Sequence, residues 1–91
     1  MNRIIDQIHL IFYYFCIMTS TYKILLNKEP EGQYTVTVTA LPGCVTYGEN
    51  IDHAITMAKE AIELYIEELK ERGEEIPDDN NTLEYSINIP A

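Results

Sequence analysis

The sequence is poor in most of the residues that announce a chemistry. Its 91 residues hold no tryptophan, two cysteines, two histidines, four glycines and six lysines or arginines. Two cysteines cannot staple a disulfide scaffold, and Cys16 and Cys44 lack the close spacing of a metal pair. Gly32, Gly43, Gly48 and Gly73 stand apart as turn or cap residues, so no glycine-rich loop is present to cradle a phosphate. Six cations are too few for non-specific nucleic-acid binding, which depends on Lys and Arg contacts to phosphate. The longest apolar run, residues 8–18 broken only by His9, falls well short of the roughly 20 residues of a membrane span. The length excludes a two-domain enzyme with a separate cofactor domain.

What is present describes one small globular domain. The chain is 46% apolar and 23% charged, neither disordered nor membrane-spanning by composition. Surface scaling gives about 5,400 Å² exposed when folded against about 15,000 Å² unfolded, enough burial for a modest core. The net charge of −9 is unevenly placed. Residues 1–48 carry Arg3, Lys23 and Lys28 against Asp6, Glu29 and Glu31, which cancel. Residues 49–91 carry Lys59, Lys70 and Arg72 against twelve acids, so the whole excess belongs there. A solubilising helix face accounts for such a bias, and so does a counter-surface for a basic partner.

Residues 1–18 read as an apolar extension. Ile4, Ile8, Ile11, Phe15 and Met18 share a helical spacing, but Arg3 is offset by Asp6 and no small-residue cleavage site follows. Three readings stand: non-native sequence ahead of a start at Met18, a docking helix, or a targeting or membrane segment. The working domain is expected at residues 19–91.

From Thr21 the pattern is regular. Residues 22–28 form a strand candidate with Tyr22, Ile24 and Leu26 on one face. Glu29-Pro30-Glu31-Gly32 is turn chemistry, and residues 33–41 alternate, with Tyr34, Val36, Val38 and Ala40 inward and Thr35, Thr37 and Thr39 outward. The two runs read as a β-hairpin. After Leu41-Pro42-Gly43, residues 44–47 make a third short strand closed by Gly48. Asn50 is an N-cap, Asp52 suits the first turn, and His53 takes the position where a capping box would place Glu. Ile51, Ala54, Ile55, Ala58, Ala61, Ile62, Tyr65, Ile66 and Leu69 form one apolar stripe, and Gly73 is the stop signal. Residues 78–81 are a polar loop. Residues 82–89 alternate again, with Leu83, Tyr85, Ile87 and Ile89 predicted inward. The expected fold is therefore α+β in the order β-β-β-α-β, a small sheet covered on one face by one long helix. The last strand would pair parallel to the first.

Catalytic constellations are thin. Cys44 and His53 lie nine positions apart and would serve as a thiolate pair, but an apolar strand position after Pro-Gly suits a buried structural thiol better. Metal-dependent ribonuclease H chemistry would need acids converging from the first strand, the helix and the last strand. Residues 23–27 contain no carboxylate, and Glu84 is predicted to face outward. No cofactor and no metal are expected, and the chain is read as a non-enzyme. The clearest candidate site is the acidic strip of Glu60, Glu63, Glu67, Glu68 and Glu71, opposite the apolar stripe. Glu63–Glu67 and Glu67–Glu71 are like-charge pairs one turn apart, which Lys59–Glu63 and Glu67–Lys70 offset only in part. A cationic partner would relieve that repulsion.

Read together, Lys28-Glu-Pro-Glu-Gly-Gln-Tyr-Thr-Val36, Ala40-Leu-Pro-Gly-Cys-Val-Thr46, Gly48-Glu-Asn50, Ala54, Ala58-Lys-Glu-Ala-Ile62 and Gly73-Glu-Glu-Ile-Pro77 resemble the HicB antitoxin family. The resemblance runs from about Tyr22 to Ile89. Its signature positions are Glu31, Gly32, Tyr34, Leu41, Pro42, Gly43, Cys44, Gly48, Ala54, Ala58 and Ala61. Thr39 stands where the family often has proline, Gln33 where it often has glycine and His53 where it often has glutamate. The resemblance implies a partial ribonuclease H-like fold without catalysis and a cytoplasmic protein. Its partner would be a small basic HicA toxin that cleaves mRNA, and homo-dimers or higher oligomers are expected. Many members add a C-terminal DNA-binding module. This chain is expected to lack that module, so direct nucleic-acid binding by it alone is not expected, nor is a membrane partner.

Overall fold

The computed structural model describes residues 19–90, so the extension predicted for residues 1–18 lies outside them. Four elements follow in order: β1 (Ile24–Lys28), β2 (Tyr34–Val38), β3 (Val45–Gly48) and one helix, α1 (Ile51–Glu71). The strands form an antiparallel meander, β1-β2-β3, so the arrangement is α+β in the order β-β-β-α. Ile24 stands opposite Val38, Leu26 opposite Val36 and Lys28 opposite Tyr34. The alternation of Tyr34, Val36 and Val38 thus meets a matching alternation on β1, and both sets face α1.

Each turn has a local cause. In the first, the Gly32 N–H donates to the Glu29 carbonyl at 2.9 Å, and the Glu29 N–H donates to the Gln33 carbonyl at 2.7 Å. In the second, the Cys44 N–H donates to the Leu41 carbonyl at 3.0 Å. Pro42 fixes the second position of this turn, and Gly43 at φ +78 supplies the left-handed third, as a type II turn requires. A further bond from the Leu41 N–H to the Val38 carbonyl ends β2 at Val38, short of the predicted run to Leu41. That bend drops Leu41 into the core, where it is fully buried.

The core has two adjoining parts. Val38, Leu41, Cys44 and Leu69 form one, with Tyr22, Ile62 and Tyr65 packed against it. Val36, Ala54 and Ala58 form the other. At the second, the helix comes close to the sheet: a Cβ on Gly48 would lie 2.4 Å from the Ala54 Cα and N and 2.7 Å from its Cβ. No side chain fits there, so glycine and alanine set the distance between β3 and α1. The Tyr65 hydroxyl donates to the Pro42 carbonyl at 2.8 Å and ties mid-helix to the second turn.

Two expectations need correction. The predicted strand at residues 82–89 is not formed, and among the described residues the sheet has three strands. Leu83, Tyr85, Ile87 and Ile89, predicted inward, are 71% to 92% exposed. The cause lies just upstream. Asp79 is buried; its N–H donates to the Thr21 carbonyl at 2.8 Å, and its Oδ2 accepts from the Lys23 N–H at 2.8 Å. Asn80 Oδ1 accepts from the Thr21 N–H at 2.7 Å. These bonds pin the chain at the start of β1, and Thr82 and residues 84–86 then lie beside Lys23, Leu25 and Thr39. The second correction concerns Ile51 and Ile55, which belong to the predicted stripe yet are exposed. Three strands are too narrow a sheet to cover the whole stripe. No helix among the described residues is long and apolar enough to cross a membrane.

Candidate protein-binding site on the helix

The helix that carries the acids begins at a well-made cap. The Asn50 side chain accepts from the His53 N–H at 2.8 Å, and His53 Nδ1 accepts from the Glu49 N–H at 3.0 Å. The imidazole thus returns the reciprocal bond that a capping-box glutamate usually makes. At the other end, the Arg72 N–H donates to the Glu68 carbonyl, and Lys70 places a cation in the last turn. With both ends fixed and Ala54, Ala58 and Leu69 buried, the opposite face is held outward.

Glu60, Glu63, Glu67 and Glu71 lie exposed on that face, and Glu68 is exposed on a flank of the helix nearer Ala54. Glu60, Glu63 and Glu67 line a shallow groove of about 290 Å³ together with Leu64, which is 66% exposed. Glu68 is engaged differently: its carboxylate pairs with the Arg72 guanidinium, whose pKa is raised first by that hydrogen bond and then by the Glu68 charge. Glu74 lies 3.8 Å from the same Arg72. The expected offsets Lys59–Glu63 and Glu67–Lys70 are not closed as ion pairs; among the described residues, Arg72 makes the only two. Three carboxylates one turn apart therefore stand uncompensated around an exposed leucine. The sequence reading passed over Leu64, although a leucine set among glutamates and outside the apolar stripe was the available signal.

The signature residues serve the scaffold. Gly48 and Ala54 make the close helix contact, Ala58 is buried with Val36, and Leu41 and Cys44 sit in the core with Ala61 against them. Pro42 and Gly43 form the turn that receives Tyr65, and Tyr34 packs on the second part of the core. Glu31 and Gly32 sit in the β1–β2 turn, outside both parts of the core. Burial pushes the Cys44 thiol up, which keeps it protonated, and His53 is committed to the helix cap. That environment suits a structural thiol and not a nucleophile. Among the described residues, no group of three His, Cys, Asp or Glu side chains is placed to hold a metal ion.

The fold and this surface define a class: a small α+β domain with a rigid, acidic helix face. A family model described as HicB-like antitoxin of bacterial toxin–antitoxin systems matches residues 22–91. A UPF0150 protein of Thermoplasma acidophilum is 48% identical over 59 residues, covering 65% of this chain and 86% of that protein. A UPF0150 protein of Synechocystis is 41% identical over 56 residues, covering 62% and 71%. An uncharacterised 14.9 kDa protein of Haemophilus phage HP1 is 41% identical over 69 residues, and this chain spans 50% of its length. The chain belongs to the HicB-like antitoxin family of bacterial toxin–antitoxin systems.

Proposed function

We propose that this antitoxin-family chain neutralises a small basic HicA-type toxin, an mRNA-cleaving protein, by laying its acidic helix face over the toxin's RNA-binding surface. The observation that carries the reading is the uncompensated trio Glu60, Glu63 and Glu67 around exposed Leu64. Carboxylates raise the rate of encounter with a cationic partner, and an apolar centre supplies burial once the two are docked. Glu71 extends the strip, and Glu68 contributes less because Arg72 already holds it. In this reading the chain works in the cytoplasm, without cofactor or metal, and contacts no nucleic acid itself.

The test is titration calorimetry of the full chain against the small basic protein of the adjoining reading frame. Wild type is expected to bind, more weakly as salt is raised. The triple variant Glu60→Lys, Glu63→Lys, Glu67→Lys is expected to lose at least about 100-fold in affinity. Absence of a complex at low salt, or equal binding by the variant, overturns the reading. A stand-alone homo-oligomeric adaptor is the second reading, favoured by the exposed apolar side chains at residues 83–89.

A further inference from the structure

The two edges of the sheet differ in how they are guarded. In the β2–β3 ladder the Val38 N–H donates to the Cys44 carbonyl at 3.0 Å, and Thr37 stands opposite Val45, Val36 opposite Thr46 and Thr35 opposite Tyr47. Opposed residues of an antiparallel pair alternate between bonded and non-bonded pairs. Counting from Val38 and Cys44, Thr46 and Gly48 turn their backbone groups towards β2. Val45 and Tyr47 turn their N–H and C=O groups off the outer edge of β3, where nothing among the described residues bonds to them. Edge strands are usually blunted by charge, proline or a bulge. At β1, Lys28 lies within the strand and Lys23 just before it. β3 reads Val45-Thr46-Tyr47-Gly48, with no charge, no proline and an unbroken register.

The side chains of that edge are open as well. Val36 packs with Ala54 and Ala58, so Thr46 and Gly48 share the helix side of the sheet and Val45 and Tyr47 alternate onto the other. Val45 is 47% and Tyr47 63% exposed. The helix sets charge beside this edge. Its closest approach to β3 is Ala54 on Gly48, whereas Ile62 and Ile66 gather with Tyr22, just before β1. At about 100° per residue, Glu68 lies about 40° beyond Ala54 on the side away from Ile62, and Glu71, Glu60 and Glu67 follow within about a further 100°. Lys59 and Lys70 fall within about 40° of Ile66 instead. The helix lysines are thus set towards β1 and these glutamates away from it, and Glu49 adds a carboxylate directly after Gly48.

We infer that the outer edge of β3 is a strand-pairing site: an edge strand of the basic toxin adds to it, exchanging main-chain hydrogen bonds with Val45 and Tyr47 while its cations meet the glutamates on the same side of α1. In strand addition the main-chain bonds supply affinity and the flanking side chains supply specificity. The occupant follows from the charge. A strand bearing lysine or arginine is met by Glu49, Glu60, Glu67 and Glu71, and Arg72 answers Glu68 within the chain. A second copy, at a net charge of −9, would bring further carboxylates to the same place. The inference rests on the toxin-neutralising reading for the kind of partner, and adds to it the element of that partner that docks and the backbone groups that receive it.

The test uses the full chain and the small basic protein of the adjoining reading frame. Amide hydrogen exchange should find the Val45 and Tyr47 N–H groups fast in the lone chain and slowed at least about 10-fold in the complex. Val45 is the first residue of β3 and its N–H makes no bond to β2, so proline is tolerated there. Val45→Pro should keep the circular dichroism of wild type and lose at least about 10-fold in affinity by titration calorimetry. Val45→Thr, which keeps the N–H, should bind within about 3-fold of wild type. A complex with both amides still fast, wild-type binding by folded Val45→Pro, or equal losses in the two variants overturns the edge site and leaves the toxin reading standing. Absence of any complex at low salt overturns both. Slowing of the two amides in the chain alone, growing with concentration, gives the edge to a second copy and overturns the site for a toxin strand. Should Val45→Pro fail to fold, exchange in the wild-type complex decides.

Discussion

The two flanks of α1 are built on opposite plans. On one flank the helix presents Ala54, Ala58, Ala61 and Tyr65 to the core, and Ala54 presses on Gly48 of β3 until no Cβ would fit between them. Towards the outer side of β1 it presents Ile51, Ile55, Ile62 and Ile66, large side chains left half or fully open. Small residues in tight contact mark an interface completed within the chain. Exposed Ile51 and Ile55 mark a stretch of the flank that the described sheet leaves uncovered. The difference teaches that one helix can serve as core on one flank and stay open on the other, with its acidic face left for a third task.

The sharpest way to break this contrast is at the tight flank. Gly48→Ala forces β3 and α1 apart and should cost about 3 kcal/mol, near the upper end for overpacking. Ile55→Ser on the open flank should cost no more than about 0.5 kcal/mol in the monomer; thermal unfolding of both variants gives the comparison, and equal losses would erase it. Asp79→Ala comes next. It leaves the Lys23 N–H without its acceptor and should cost about 1–2 kcal/mol by denaturant titration. The smallest effect is alkaline. The Tyr22 hydroxyl donates to the Pro77 carbonyl at 2.6 Å, and burial first, then the charges of Asp78 and Asp79, hold its phenol above the ordinary value. The unfolded phenol ionises at about pH 10 while the folded one keeps its proton. The resulting stability is therefore whole below about pH 10 and lost as pH rises through the folded value. Tyr22→Phe should flatten that alkaline decline, measured by denaturant midpoints across the pH range.

Much of this was legible in the residues. The alternation of Tyr34, Val36 and Val38, the Leu41-Pro42-Gly43 break and the Asn50 cap are local signals with local causes, and all three formed, although Cys44, expected to open the third strand, closes the turn and the strand starts at Val45. What escaped was non-local. Residues 82–89 show which side of a strand is apolar, but a period of two says nothing about whether a free edge is within reach. Asp79 read as part of a polar loop because its partners, Thr21 and Lys23, lie 58 and 56 positions away. Ile51 and Ile55 joined the stripe by spacing alone, which gives the direction of a face and not the width of the sheet beneath it. At the acidic strip the residue types were plain, but only the folded helix separated Glu68, held by Arg72, from the uncompensated Glu60, Glu63 and Glu67.

The meander order has a kinetic consequence. Each strand pairs with its neighbour in sequence, and the helix follows directly on β3, so most contacts made on folding are local. A chain of this topology should complete its hairpins and dock its helix in a fast unimolecular phase whose rate ignores concentration. The bonds from Asp79 and Asn80 back to Thr21 and Lys23 close the longest loops in the domain, so the tail after the helix should be the last part to lock in place.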